Sequence, residues 1–286
     1  MKALLQCLLV LILLAAPARA ETWIAPEEVT SLDNAILIDA RGAKDYAAGH
    51  IPGAINVPWQ SVADMNGRPG DPGWGVLLPP ERLGPALGAL GISHDSHVVV
   101  YSASPGGWGE DGRIAWSLRV AGLRNVKILD GGIEAWQATG GELSDEVVRL
   151  EPVEFDISGY DPTLSASKEE VAASLKSARI VDSRTPEEYA GAQKLGEARG
   201  GHLPGAVNIP WTSVFDGKGR LLDKGALAAK MKEAGISPDD EIIAYCTAGI
   251  RSAHLVLALR EAGFARARNY DASFHEWAGD PQLPLE

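Results

Sequence analysis

The chain has 286 residues, enough for two domains that each bury a core of their own. Its 38 acidic residues outnumber 26 basic ones, and the resulting net charge of −12 repels phosphate backbones, so we expect no nucleic-acid partner. The chain has two cysteines, Cys7 and Cys246, which excludes a scaffold held by several disulfides.

Residues 1–20 have the pattern of a secretory signal peptide. A positively charged start leads into an apolar run that is short for a bilayer span, and a small-x-small site follows at residues 18–20. We expect cleavage after Ala20, which removes Cys7 and leaves Cys246 as the single thiol. The mature protein is then expected to be periplasmic or secreted, with no membrane attachment.

A motif of two parts follows and occurs twice. Asp-x-Arg at residues 39–41 precedes Gly-His-Ile-Pro-Gly-Ala-Ile-Asn-Val-Pro-Trp at residues 49–59. Asp-x-Arg at residues 182–184 precedes Gly-His-Leu-Pro-Gly-Ala-Val-Asn-Ile-Pro-Trp at residues 201–211. The chain is therefore one module duplicated. We place the signal peptide at 1–20, the first domain at 21–142, a linker at 143–163 and the second domain at 164–286.

Within each copy, short β-branched runs alternate with helical stretches. Residues 35–39, 98–101 and 126–129 are predicted to be buried strands. A capping box at Ser167 predicts a helix to about Lys176, and further helices are expected over 226–234 and 252–262. Buried strands alternating with helices predict an α/β fold, with a mostly parallel sheet flanked by helices in each domain.

The most informative segment begins where a strand of the second domain ends, at Tyr245. Cys246 follows at once, and a helix is expected from about Ser252. The intervening residues can curl round the sulfur and point backbone N–H groups at it, with Gly249 permitting the tight turn. These donors, the positive end of the helix and the charge of Arg251 lower the pKa of a thiol, so we predict that Cys246 is a nucleophile. The predicted anion-binding loop consists of Thr247, Ala248, Gly249, Ile250, Arg251 and Ser252.

The alternative is that Cys246 merely ends a buried strand. The first copy argues against it, because Ser102 occupies the matching position and the longer loop that follows contains no thiol. Counted back along the helix, Glu110 lies where the second copy has Arg251. One copy thus has an anion-stabilised thiol and the other has not, as division of labour after duplication predicts.

These residues together resemble the rhodanese family of sulfurtransferases. Cys246-x-x-Gly249-x-Arg251 after a buried strand is similar to the active-site loop of that family, and the repeated motifs are similar to its other signatures. A tandem pair with an inactive first domain resembles thiosulfate and 3-mercaptopyruvate sulfurtransferases. The resemblance implies that Cys246 takes a sulfane sulfur from thiosulfate, 3-mercaptopyruvate or a persulfide and passes it to cyanide or a thiol. It implies no metal or organic cofactor.

Loop length separates this reading from that of related phosphatases, which enclose the thiolate in a longer loop. Here Cys246 to Arg251 is six residues, the sulfurtransferase length. Two other readings stay open. In the first alternative the chain is a persulfide carrier that delivers sulfur to a partner. In the second it is a structural scaffold without chemistry.

Two positions depart from the family pattern and leave the donor open. Ala248 stands where thiosulfate enzymes often have lysine and mercaptopyruvate enzymes have serine, and Glu188 stands where tandem enzymes have arginine. Arg184, Lys194 and Arg199 are the candidates for replacement positive charge at the site.

Asp182 and Arg184 are expected to form an ion pair that shapes the site. Because Asp39 and Arg41 repeat this pair in a copy without the thiol, a structural role is favoured over substrate binding.

Other residues recur without a clear chemical task. The repeated context of His50 and His202 predicts a turn-stabilising hydrogen bond, and His254 has no evident acidic partner. The tryptophans are expected to be chiefly core. For Trp74 and Trp108, which lie in glycine-rich loops, the alternative is that they line the cleft between the domains.

Overall fold

The computed structural model describes residues 22–286, so the expected signal peptide and its cleavage site lie outside the described residues. The first domain contains five strands in the order β1-β5-β4-β2-β3, and every pair of neighbours is parallel. A 3₁₀ turn over Trp59–Val62 follows β3. The elements are β1 (Trp23–Ile24), α1 (Pro26–Val29), β2 (Ile36–Asp39), α2 (Ala43–Ala48), β3 (Ile55–Asn56), α3 (Pro80–Gly88), β4 (Val98–Tyr101), α4 (Glu110–Val120), β5 (Val126–Leu129) and α5 (Gly132–Ala138).

The second domain repeats this architecture. Its strands are arranged β6-β10-β9-β7-β8, again all parallel. A 3₁₀ turn over Trp211–Val214 follows β8. The elements are β6 (Ser165–Ala166), α6 (Lys168–Ser174), β7 (Arg179–Asp182), α7 (Pro186–Tyr189), β8 (Val207–Asn208), α8 (Lys224–Glu233), β9 (Ile242–Tyr245), α9 (Ile250–Glu261), β10 (Ala267–Tyr270) and α10 (Ser273–Gly279). The predicted α/β fold of two parallel sheets flanked by helices is confirmed.

Helix starts follow from local chemistry. The capping box at Ser167 is formed, since its hydroxyl accepts from the Glu170 N–H and the Glu170 carboxylate accepts from the Ser167 N–H. The helix after Cys246 begins at Ile250, two residues earlier than predicted. Gly249 has a φ of 75°, so the chain turns in a left-handed conformation and enters the helix immediately.

The two domains pack through α4 and α9. A Cβ on Gly112 would lie 2.3 Å from the Cβ of His254, so glycine permits the close approach of the two helices. Residues 139–164, all within the described part, form no helix or strand and lie along the first domain. An isolated bridge joins Ser144 to His50, and Phe155 is buried against α3. Over residues 22–286, no helix has the length and apolar character that a bilayer crossing requires.

Candidate active site

Cys246 lies at the carboxyl end of β9, inside the turn that leads to α9. Its backbone is held by the segment around α10, where Cys246 N–H donates to Ser273 Oγ at 3.2 Å and its carbonyl accepts from Phe274 N–H at 3.1 Å. A Cβ on Gly249 would lie 2.2 Å from the Asp271 carbonyl, so the loop closes this tightly because that position is glycine. Strand, glycine turn and helix together fix the place of the sulfur.

The electrostatics of the loop favour a thiolate. Burial by itself raises the pKa of the Cys246 thiol, since the side chain is almost wholly enclosed. The positive charge of Arg251 and hydrogen bonds from Ser252 and Ala248 outweigh it, and the pKa is lower than its ordinary value. The amides of the loop therefore point inward, as the sequence predicts for a nucleophilic cysteine.

Glu188 is part of this site, although the sequence marks it only as a departure. Its two carboxylate oxygens each accept a hydrogen bond of 2.8 Å from the Arg251 guanidinium. The Thr247 hydroxyl lies between them, donating to Glu188 at 3.1 Å and accepting from Arg251 at 2.7 Å. Burial raises the pKa of Glu188, but the bonds from Arg251 outweigh it and lower the pKa to about 2. Glu188 thus holds Arg251 in place and balances its charge.

Asp182 and Arg184 form the expected ion pair, fully buried at the end of β7 with a closest contact of 2.6 Å. Asp182 also accepts from the Tyr245 hydroxyl at 2.7 Å, and Arg184 donates to the Gly201 carbonyl at 2.8 Å. Asp39 repeats the pair with Arg41 in the first domain, also at 2.6 Å. The pair therefore fixes the strand end on which the site is built.

Arg199 does not line the cavity beside Cys246. Its guanidinium donates to the carbonyls of Trp277, Ala278, Asp280 and Leu283, so it ties the C-terminal segment to its own loop. Lys194 is exposed and lies 4.0 Å from Glu187. Arg184, Lys194 and Arg199 contact other groups and are not among the described residues that line this cavity. Replacement of the missing charge by one of them therefore stays a prediction.

A cavity of about 400 Å³ adjoins Cys246 and is lined by both domains. The second domain contributes Cys246, Thr247, Ala248, Ile250, Arg251, Leu195 and His275, and the first contributes Trp59, Trp74, Trp108 and Glu110 among others. For Trp74 and Trp108 the alternative holds, since both line the cleft between the domains. The first domain thus builds one wall of the cavity.

Trp59 and His275 also line the cavity, although the sequence does not mark either as a site residue. Trp59 closes the repeated motif, and its twin Trp211 is a buried core residue, so the repeat points to packing. His275 is buried, its Nε2 lies 3.0 Å from the Leu195 carbonyl, and its Nδ1 has no partner among residues 22–286. The signal that could have found it is its place just after the Asp271 turn, which packs on the Cys246 loop.

The matching loop of the first domain holds a different set of groups. Ser102 occupies the place of Cys246, and its carbonyl accepts from Ile133 N–H at 3.0 Å. Counted from the N-cap glycines of α4 and α9, Asp111 matches Arg251, so the expected match with Glu110 is shifted by one residue. The physical reason is length, because α4 has 11 residues and α9 has 12.

Asp111 is also the acidic neighbour that His254 was expected to lack. The His254 Nε2 lies 3.8 Å from the Asp111 carboxylate across the domain interface. Burial lowers the pKa of His254 to about 3 and raises that of Asp111 to about 6. Both groups are therefore held away from the surface in the packing of α4 against α9.

The repeated histidines have the role that was predicted. His50 Nδ1 lies 2.9 Å from the Tyr46 carbonyl, and His202 Nδ1 lies 2.9 Å from the Tyr189 carbonyl. Each imidazole also stacks on that tyrosine ring, at 3.8 and 3.7 Å between centroids. A turn-stabilising hydrogen bond at both positions is confirmed.

Both domains have counterparts among known proteins. The pattern of the rhodanese-like domain matches twice, over residues 25–139 and 167–280. A thiosulfate sulfurtransferase of Azotobacter vinelandii is 37% identical over 255 residues, spanning 88% of this chain and 90% of that protein. A thiosulfate sulfurtransferase of Pseudomonas aeruginosa is 35% identical over 254 residues, with the same coverage of 88% and 90%.

The fold is also found among solved structures. An anaerobic ergothioneine biosynthesis enzyme from Chlorobium limicola, in complex with trimethyl histidine, matches with a TM-score of 0.83. The match covers 93% of this chain and 70% of the Chlorobium enzyme at 23% identity, so the two proteins share a fold.

Proposed function

The chain belongs to the rhodanese family and is a sulfurtransferase, and we propose that Cys246 is the residue on which it carries sulfur from donor to acceptor. The observation that carries the proposal is the loop between β9 and α9, where Arg251 and inward hydrogen bonds lower the pKa of the Cys246 thiol despite its burial. A thiolate is the form that attacks a sulfane sulfur. The same donors stabilise a persulfide anion after the attack.

Thiosulfate is the proposed donor, because the two relatives above are named for it. The Cys246 thiolate attacks the outer sulfur of thiosulfate, a new S–S bond forms, and the old one breaks with its electron pair leaving on sulfite. The enzyme is left as Cys246–S–S⁻. Arg251 and the helix N-terminus hold negative charge on the reacting sulfurs throughout.

The second half of the cycle returns the thiolate. Cyanide attacks the outer sulfur, the persulfide bond breaks with its electron pair on Cys246 Sγ, and thiocyanate leaves. With a thiol acceptor RSH, the transferred sulfur carries the proton away as RS–SH. No residue other than Cys246 changes its covalent state.

Mass spectrometry tests the proposal directly. After thiosulfate is added and excess donor removed, the peptide containing Cys246 is expected to gain one sulfur, and cyanide is expected to remove it with formation of thiocyanate. A Cys246→Ala variant that folds as the parent does is the matched control, and sulfur transfer at an undiminished rate in that variant would disprove the assignment.

The persulfide-carrier reading is not favoured, since the relatives at 35% and 37% identity are named as transferases. Steady-state turnover separates the two, because a carrier accumulates the adduct without sustained thiocyanate formation. We propose in addition that the enzyme works in the periplasm or outside the cell, supported by the signal-like residues 1–20. N-terminal sequencing of the exported protein tests this, with Glu21 expected as the first residue.

A further inference from the structure

Three tryptophans of the first domain line the cavity beside Cys246, and sulfur transfer as described above uses none of them. We call Trp59, Trp74 and Trp108 the tryptophan wall. The ring centroids of Trp59 and Trp74 are 5.9 Å apart with an angle of 80° between their planes, so the two indoles form a corner. Trp108 is 50% exposed, so part of its large aromatic surface is open to solvent.

The tryptophan wall lies close to the sulfur loop. A Cβ on Gly75 would lie 3.7 Å from both the Ala248 Cβ and the Trp59 ring. The ring centroids of Trp74 and His275 are 5.9 Å apart, and the backbone N–H of His275 donates to the Thr247 carbonyl at 3.0 Å. A molecule that contacts these indoles is therefore within reach of a sulfur carried on Cys246.

The charges that line the cavity are divided between its two sides. Arg251 is its basic side chain, and that charge is already matched by Glu188 and by the Cys246 thiolate. The Arg251 guanidinium also lies 5.3 Å from the Trp108 ring centroid. Burial lowers the pKa of His275, which keeps it neutral. Glu110 is the acidic residue of the first domain's side, and burial raises the pKa of its carboxyl group. A cation is therefore attracted to the first domain's side of the cavity, whereas an anion such as thiosulfate is attracted to Arg251 and the loop around Cys246.

The size of the cavity points to an organic acceptor. About 400 Å³ is within the range of pockets that enclose small organic ligands, roughly 300–1,000 Å³. Cyanide and sulfite need only a small part of that space. Most of the cavity, including its aromatic corner, is then available to a larger molecule.

We infer that the tryptophan wall and Glu110 form a subsite for the cationic end, an ammonium or quaternary ammonium group, of a thiol acceptor. The inference rests on the proposed function, because it places this acceptor beside the Cys246 persulfide. Indole faces attract cations through their quadrupole, and the Glu110 carboxyl group, which accepts from the Trp108 backbone N–H at 2.8 Å, adds Coulombic attraction when ionised. The thiol end attacks the outer sulfur of Cys246–S–S⁻, the persulfide bond breaks with its electron pair on Cys246 Sγ, and RS–SH leaves.

A series of acceptors with different charge tests the subsite. Wild-type protein loaded with thiosulfate is mixed with thiocholine, 2-mercaptoethanol or 3-mercaptopropionate, each compared at equal thiolate concentration. We expect kcat/KM to be about tenfold higher for cationic thiocholine than for neutral 2-mercaptoethanol, and lowest for the anion.

Variants locate the preference. Trp59→Leu, Trp74→Leu and Glu110→Gln are each expected to reduce the preference for thiocholine by roughly threefold or more, while Trp59→Phe retains most of it. Glu142→Gln is the matched control, since Glu142 is exposed in the same domain and lies outside the cavity lining. The rate of loading by thiosulfate shows that each variant keeps a working sulfur site.

The outcomes separate the two proposals. Normal loading of Cys246 with equal rates for the three thiols, or a preference that survives Trp59→Leu, Trp74→Leu and Glu110→Gln, would overturn the cationic subsite alone. Failure of Cys246 to load would overturn the proposed function and the subsite with it. A preference lost in these three variants and kept in Glu142→Gln supports both.

Discussion

The two domains share a backbone frame and differ in one loop. Ser102 and Cys246 follow equivalent strands, β4 and β9, and their carbonyls accept equivalent hydrogen bonds from Ile133 and Phe274. After Cys246 the chain curls for three residues before α9 begins, whereas seven residues separate Ser102 from α4. The frame therefore gives the position at a strand end, and the loop decides whether that position can hold an anion.

The difference extends to the charges behind the loop. In the second domain Arg251 faces the sulfur and is fixed by Glu188. In the first domain Asp111 takes the matching helix position, and burial raises the pKa of this carboxyl group. Duplication has thus left one copy that binds an anion and another that supplies an aromatic wall to the cavity.

The largest expected effect comes from moving the thiol between the copies. A Ser102→Cys/Cys246→Ser double variant places the thiol on the equivalent strand end of the first domain. Because that loop provides no cation, we expect thiocyanate formation to stay at least about a thousandfold below wild type, as for Cys246→Ser alone. The assay uses thiosulfate and cyanide, with the mass of each cysteine peptide as a second readout. Recovery of activity would show that the frame suffices without the loop.

Removal of the loop's charge is expected to have the next largest effect. Burial raises the pKa of the Cys246 thiol and the charge of Arg251 lowers it. Arg251→Gln removes that charge, so the pKa of the thiol rises. The pH profile of alkylation by iodoacetamide then moves to higher pH, and loading at neutral pH slows by roughly tenfold to a hundredfold. Arg251→Lys keeps a charge and controls for it, with a smaller movement of the profile. An unchanged profile in Arg251→Gln would contradict this account of the thiolate.

A smaller and opposite effect is expected from Glu188→Gln. Arg251 no longer shares its charge with a carboxylate, so the pKa of Cys246 falls and the alkylation profile moves to lower pH. Loss of the buried bidentate pair lowers the free energy of unfolding by roughly 1–3 kcal/mol at neutral pH. A profile that moves to higher pH instead would mean that Glu188 acts mainly by positioning Arg251.

The pH dependence of stability gives Glu188 a second test. Its pKa is lowered in the folded protein from 4.5 to about 2, so the pair adds stability that is complete above pH 4.5. This contribution of the pair to the free energy of unfolding is lost as the pH falls through about 2. Urea unfolding of wild type and Glu188→Gln is expected to show a difference that shrinks over this window.

Much of the fold could be predicted from sequence because it follows from repetition and local chemistry. The strands, the parallel sheets and the turn at Cys246 depend on apolar runs and on glycine. Glu188 could not be assigned, since its partner Arg251 is 63 residues away and only the packed sheet brings them together. Trp59 was missed for a related reason, because its twin Trp211 is core and only the packing of two domains leaves one of them in a cavity.

The smallest expected effect on activity tests whether the frame itself is equivalent in the two copies. Tyr245 OH donates to Asp182 and accepts from Leu203 N–H at 3.1 Å, and Tyr101 OH accepts from Ile51 N–H at 3.0 Å. Burial raises the pKa of both phenols well above the ordinary value, so both stay protonated and act as hydrogen-bonding groups.

Tyr101→Phe and Tyr245→Phe are therefore each expected to lower the free energy of unfolding by about 1–2 kcal/mol, because each leaves a buried N–H group without its hydrogen-bond acceptor. Loading of Cys246 is expected to stay within about twofold of wild type in both, measured by the gain of one sulfur after a short exposure to thiosulfate. If Tyr245→Phe alone slowed loading strongly at unchanged stability, the tyrosine below the sulfur would be part of the chemistry, and the distinction between a shared frame and a specialised loop would fail.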